Sequence, residues 1–210
     1  MKGKLIFLFG IDGSGKSTIL EMLENSRLEN TLCTSCLTNA VFEEELFCAE
    51  EKLNFSRKEY FSHEFKYVLH INSIIYKMFN TILPILNSGK NVILDRYTVC
   101  VKLYGDLFLE SSYKCMSRAL DCLPSPDLGI YFDASIDTAI SRIEIRSNKT
   151  GMNPHFSESE KSLVKKKEKY ESIIYNEKYA VYKIDANQNI GNMYSSVLKI
   201  LSEEGINRSG

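Results

Sequence analysis

Residues Gly10 to Ser17 read GIDGSGKS, an unbroken match to the phosphate-binding spacing G-x-x-x-x-G-K-[ST]. Lys4 to Phe9 (KLIFLF), just before it, is an apolar run of strand length. Thr18 to Leu28 (TILEMLENSRL), just after it, places Ile19, Leu20, Met22, Leu23 and Leu28 at helical spacing. Strand, glycine loop and helix form the context in which this motif has a mechanism. Gly10, Gly13 and Gly15 let the backbone curl around an anion, so that successive N–H groups point at phosphate oxygens. The helix that follows adds the positive end of its dipole. Ser14 and Thr18 fall inside the same cradle. Lys16 is positioned to reach the outer phosphates and Ser17 to hold Mg²⁺. The stretch implies binding of a nucleoside triphosphate, with ATP and Mg²⁺ as the expected pair.

Composition narrows the field. The chain has 210 residues and a formal net charge of -1, with an isoelectric point near 6.3. That length suits a single α/β domain over residues 1–210. The charge balance gives no footprint for a nucleic-acid polymer. No apolar stretch approaches the roughly 20 residues of a membrane span. The run Leu5 to Phe9 leads straight into the glycine loop, so it reads as a core strand and not as a leader. A cytoplasmic protein with a small-molecule partner is expected. Of the six cysteines, Cys33 and Cys36 form one C-x-x-C. Without a second pair or a spaced histidine, this is weak support for zinc, and reduced structural thiols are expected.

The rest of the chain alternates strand and helix. Thr31 to Leu37 is a weakly apolar second strand and Glu43 to Leu53 a short acidic helix. Arg57 to Asn87 is a long helical stretch with a kink or break expected at Pro84 near its end and a stop at Ser88-Gly89. Asn91 to Leu94 is a buried strand ending at Asp95. Pro126 to Phe132 is another, ending at Asp133. Helices follow over Ser135 to Arg146 and Ser157 to Asn176, then a strand over Ala180 to Ile184 and a helix from Gly191 to Leu201. This pattern predicts a five-stranded parallel sheet covered by helices on both faces, with its chemistry at the carboxyl ends of the strands. Gly10, Asp95, Asp133 and Asp185 all fall there. Lys165, Lys166 and Lys167 share a helix with Glu158, Glu160, Glu168 and Glu171 and read as a solvated, charge-paired face.

Candidate catalytic residues follow from the charges that phosphoryl transfer must manage. Asp95 ends a strand where a carboxylate can organise Mg²⁺ or its water shell, and Arg96 beside it can grip a phosphoryl group with two parallel bonds. Asp12 inside the loop is electrostatically unfavourable beside a polyphosphate and needs a task, such as accepting from a substrate hydroxyl or binding a cation. The loop itself carries no arginine. Arg142 and Arg146, four apart on one helical face at the start of a lid spanning about 142–156, are the expected source of charge for the transferred group.

These segments resemble the thymidylate kinase family, of the nucleoside monophosphate kinase branch of P-loop proteins. The likeness rests on GIDGSGKST (10–18), ILPILNSGKNVILDRY (82–97), PDLGIYFDASIDTAISRIEIR (126–146) and YKIDANQNI (182–190). It implies a P-loop fold with an arginine-bearing lid, an Asp95-Arg96-Tyr97 unit between donor and acceptor, and an adenine loop at Ala186, Asn187 and Gln188. It also implies a possible homodimer through the long helix. Three departures concern the acceptor side. The stretch Cys33 to Phe42 lacks the family's Arg-x-Pro motif. The position ten before Pro84, where the family carries an arginine, is Ile74 with Ser73 in front of it. A serine expected near Cys100 is also missing. On these losses dTMP is expected to be a poor acceptor, unless Arg57, Lys66 or Lys102 has taken over. The open acceptors are a nucleoside monophosphate (dTMP, as the resemblance implies) and an unphosphorylated nucleoside or specialised metabolite. A nucleotide-binding switch with weak hydrolysis is the remaining alternative.

Overall fold

A computed structural model describes residues 2–36, 48, 52–53, 62–109, 115–151, 153–175 and 178–208. Its centre is strand β1 (Leu5–Phe9), buried along its whole length. Helix α1 (Lys16–Asn25) follows, then β2 (Thr31–Ser35), α2 (His63–Lys77), a π-turn (Met78–Ile82) and α3 (Leu83–Asn87). Next come β3 (Asn91–Asp95), α4 (Thr98–Phe108), a 3-10 segment (Cys115–Cys122) and β4 (Leu128–Asp133). Helix α5 (Ile136–Thr150), a short 3-10 turn (Phe156–Glu158), α6 (Glu160–Ile174), β5 (Ala180–Asp185) and α7 (Ile190–Glu203) complete the chain.

The five strands run parallel in the order β2-β3-β1-β4-β5. This is the α/β P-loop architecture expected from the sequence. Being central, β1 pairs with β3 from Leu5↔Val92 to Leu8↔Asp95 and with β4 from Ile6↔Leu128 to Phe9↔Tyr131. That register brings the ends of three strands to one edge, with Asp95 beside the entrance to the glycine loop. Near-complete burial of β1, β3 and β4 explains their continuous apolar runs. Phe7 and Phe9 stack at 4.8 Å, and Tyr170 of α6 meets Phe9 at 5.6 Å. Helix α6 is thereby fastened to the sheet directly under the site.

Several boundaries differ from expectation. The long helix does not break at Pro84. Its strain is absorbed one turn earlier, where the Leu83 N–H bonds to Met78 O in π geometry. Proline offers no N–H and crowds the preceding turn, and a widened turn relieves both problems without ending the helix. Gly89 does take the left-handed stop, with φ +86°. Helix α5 runs on past Arg146 to Thr150, capped by left-handed Gly151, so most of the expected lid base is helical. The acidic helix expected over Glu43 to Leu53 lies largely outside the described residues. Cys33 and Cys36 are buried free thiols, each pushed up to about 12 by burial, which disfavours the thiolate a metal or a nucleophile needs. Among the described residues, no helix is long and apolar enough to cross a membrane.

Candidate active site

Positive φ at Gly10, Gly13 and Gly15 builds the loop. The first two also have no room for a side chain. A Cβ on Gly10 would sit 2.6 Å from Phe132 O, and one on Gly13 would sit 2.4 Å from Ala139 O. Gly13 therefore presses the loop against α5. Gly15 caps α1 without any side-chain hydrogen bond, which leaves the first-turn amides free for an anion. Lys16 is buried and donates to Ile11 O at 2.8 Å and Ser14 Oγ at 3.1 Å. Burial, reinforced by Arg96, lowers its pKa to about 8 despite the carboxylates of Asp95 and Asp12.

Ser17 Oγ donates to Asp95 Oδ2 at 2.6 Å. The other oxygen, Asp95 Oδ1, is buried and has no hydrogen-bond partner among the described residues. An unsatisfied buried carboxylate oxygen next to a hydroxyl is a donor set for a hard divalent cation. Among the described residues, no group of three or more His, Cys, Asp and Glu could hold a metal. The remaining ligands would come from phosphates and water, as Mg²⁺ prefers.

Asp12 is paired with two cations. Its Oδ1 accepts from Arg96 at 2.5 Å, and its Oδ2 accepts from Lys166. Burial opposes its charge, but Arg96, Lys166 and Lys16 outweigh burial and hold the carboxyl well below its ordinary range. Arg96 reaches Asp12 because its backbone is left-handed, at φ +68°. Such a backbone is uncommon in a non-glycine residue and is shared here by Arg27 and Asn30. Tyr97, by contrast, turns into the core and donates to Pro124 O at 2.9 Å.

Lys166 corrects a sequence expectation. It is only 5% exposed and faces the loop, so it does not belong to the solvated face, whereas Lys165 is exposed and Lys167 pairs with Glu171 four residues on. Lys167 is also engaged, bonding Asp133, which Lys183 meets at 2.7 Å. A signal for Lys166 was present: Leu163, Lys166 and Tyr170 share a helical stripe whose apolar members are buried.

The two arginines expected of a lid both lie in α5 but occupy different surroundings. Arg142 donates to Ala186 O at 2.8 Å, Gln188 O at 3.2 Å and Gly13 O at 3.5 Å, tying the Ala186–Gln188 loop to the phosphate loop. That loop is further fixed by Asp185, which accepts from Asn187 N at 2.9 Å, and by Asn187 Oδ1, which accepts from Ser135 N at 2.7 Å. Arg146, one turn on, is half exposed and pairs with Glu158 at 2.7 Å.

A cavity of about 300 Å³ opens beside the loop, lined by Asp12, Arg96 and Lys166 at its floor. Its walls include His63, Tyr67, Tyr104, His155 and Glu158. Phe156 packs between His155 and His63, with ring centroids 4.3 and 4.5 Å away. Ser73 and Ile74, where an arginine is expected on the long helix, are not among the residues that line this cavity, and residues 37–42 of the other stretch lie outside the described residues. Ile74 is fully buried, and Ser73 bonds back to Leu69 O at 2.8 Å. Ile74 lies four residues after His70 on the same face of α2, one turn beyond the residues that line the cavity. Helix α2 lines the cavity through His63, Tyr67 and His70. Lys102 pairs with Asp121 and lines a separate cavity. Arg57 and the Lys66 side chain lie outside the described residues.

Comparison with known proteins agrees with this geometry. Residues 9–197 match the family model described as thymidylate kinase. Among curated relatives, the thymidylate kinase of Ligilactobacillus salivarius is 27% identical, over 96% of this chain and 99% of its own. That of Leptospira interrogans is 30% identical, over 91% of this chain and 90% of its own. The solved structure of thymidylate kinase from Candida albicans superimposes with a TM-score of 0.69 at 20% identity, covering 97% of this chain and 93% of that one.

Proposed function

The chain belongs to the thymidylate kinase family, and we propose that it transfers the γ-phosphoryl group of ATP to dTMP, giving ADP and dTDP. It is an ATP-dependent phosphotransferase. The observation that carries the reading is the junction of two sites. The phosphate loop and the cavity meet at Asp12, Arg96 and Lys166, so a donor in one and an acceptor in the other would meet end to end. The expectation that dTMP is a poor acceptor, drawn from the missing arginines, is set aside in favour of the family's substrate.

On this reading Lys16 leaves its own loop carbonyl to bind the β- and γ-phosphates, while the amides of 13–18 hold them in place. Arg96 stands between donor and acceptor, held there by Asp12. Ser17 and Asp95 would hold Mg²⁺, which would offset phosphate charge when bound. Ala186, Asn187 and Gln188 would pack against adenine, with Arg142 as their anchor. Arg146 at the cavity rim would supply charge to the transferred group as the lid closes. The aromatic cavity walls suit a planar base.

A cytosolic location belongs to this reading, since both substrates are cytosolic metabolites. No nucleic-acid polymer or membrane is needed as a partner. A homodimer belongs to it as well, supported by exposed Phe65, Tyr76 and Phe79 on the long helix. Steady-state ADP release with dTMP, dUMP, thymidine and other nucleosides tests the acceptor. Preference for dTMP is expected, and a preference for unphosphorylated nucleosides would refute it.

A further inference from the structure

The acceptor side of this chain lacks the arginines that its family resemblance leads one to expect, yet the cavity is not short of charge. Among its described lining residues, the lysine and arginine are Lys166 and Arg96. Both are fastened to one carboxylate, Arg96 on Asp12 Oδ1 and Lys166 on Oδ2. Two cations on a single anion leave a net positive floor. Lys166 sits in the buried stripe of α6 between Leu163 and Tyr170, where an apolar side chain would pack without desolvating a charge. Asp12 is already paired by Arg96, so charge balance does not demand a second cation. The Lys166 ammonium has three N–H donors, and among the described residues only Asp12 accepts from it. A surplus cation, buried, immobilised and open to a cavity, is built to meet an anion.

We propose that Lys166 is a specificity-determining residue that, together with Arg96, seats the phosphate dianion of the acceptor. It takes the place of the arginines missing from Cys33–Phe42 and from the long helix. The proposal rests on the nucleoside monophosphate reading above. Lysine suits the task as a compact point charge that can share its donors between Asp12 and a phosphate oxygen.

The test is calorimetric binding of dTMP and of thymidine to the parent, Lys166→Met and Lys166→Arg. Removing one charge-assisted hydrogen bond should weaken dTMP binding by about 10- to 100-fold. Thymidine binding should move by less than about twofold, because thymidine has no phosphate for the ammonium to meet. Lys166→Arg should recover most of the affinity. Affinity for ATP, measured on the same samples, should stay within about threefold and so reports an intact fold. If dTMP binding changes by less than about threefold, or if dTMP and thymidine weaken equally, Lys166 is a structural counter-ion and the proposal is overturned. If instead the parent fails to phosphorylate dTMP with ATP, the reading of the function fails. The contrast between dTMP and thymidine still decides the role of the lysine in that case, since it is read from binding and not from turnover.

Discussion

Burying the Lys16 ammonium removes its hydration, and the lowered pKa records that penalty. Between pH about 8 and 10.5 the unfolded chain holds a proton that folded Lys16 has released, so this residue's contribution to stability rises with pH through that window. Below it the penalty stands in full. Lys16→Met should therefore raise the melting temperature of the nucleotide-free protein at pH 7 by a few degrees while abolishing phosphoryl transfer. In the parent, ATP affinity should fall as pH rises through about 8, and Lys16→Met should lose that dependence. Scanning calorimetry and ATP titrations at pH 7 and 9 check both; a destabilised variant with surviving turnover would contradict the assignment. The loop residues were fully legible in sequence because the motif is local. Arg96's left-handed backbone was not, since nothing near it marks the turn. Lys166 was concealed by Lys165 and Lys167, and only the stripe it shares with Leu163 and Tyr170 separates it from them.

At the scale of elements, α5 joins the three parts of the proposed donor site. It presses on Gly13, anchors the Ala186–Gln188 loop through Arg142 and presents Arg146 at the rim. Sequence treats the two arginines alike because both lie on one face, whereas their partners differ. Arg142→Ala should weaken ATP binding by about tenfold, with a turnover loss no larger. Arg146→Ala should lower turnover more than ATP affinity, the sign of an interaction that strengthens in the transition state. Steady-state kinetics with ATP titrations separate these outcomes; the reverse order would exchange the roles. Strands and their order of appearance were readable from apolar runs. The π-turn was not, because its cause lies in how one proline is accommodated by the preceding turn.

For the whole molecule, the proposed donor and acceptor sites meet at one sheet edge, and the proposed dimer would use the exposed aromatic face of the long helix. Phe65, Tyr76 and Phe79 fall at offsets that keep them on one side of the helix. Light scattering after gel filtration should give a dimer, and Phe79→Lys with Tyr76→Lys should give a monomer; a monomeric parent would refute this packing. The donor half of the site was legible because its motif is contiguous in sequence. The proposed acceptor half was not, since its cavity is assembled from α2, α4, α6 and the turn before α6, which only the fold brings together. The decisive measurement is a single turnover with γ-labelled ATP, excess protein and dTMP, with the products separated. The label should appear in the β-phosphate of dTDP, at a rate that depends on divalent cation. Label recovered only as inorganic phosphate, or on thymidine in preference to dTMP, would contradict the account.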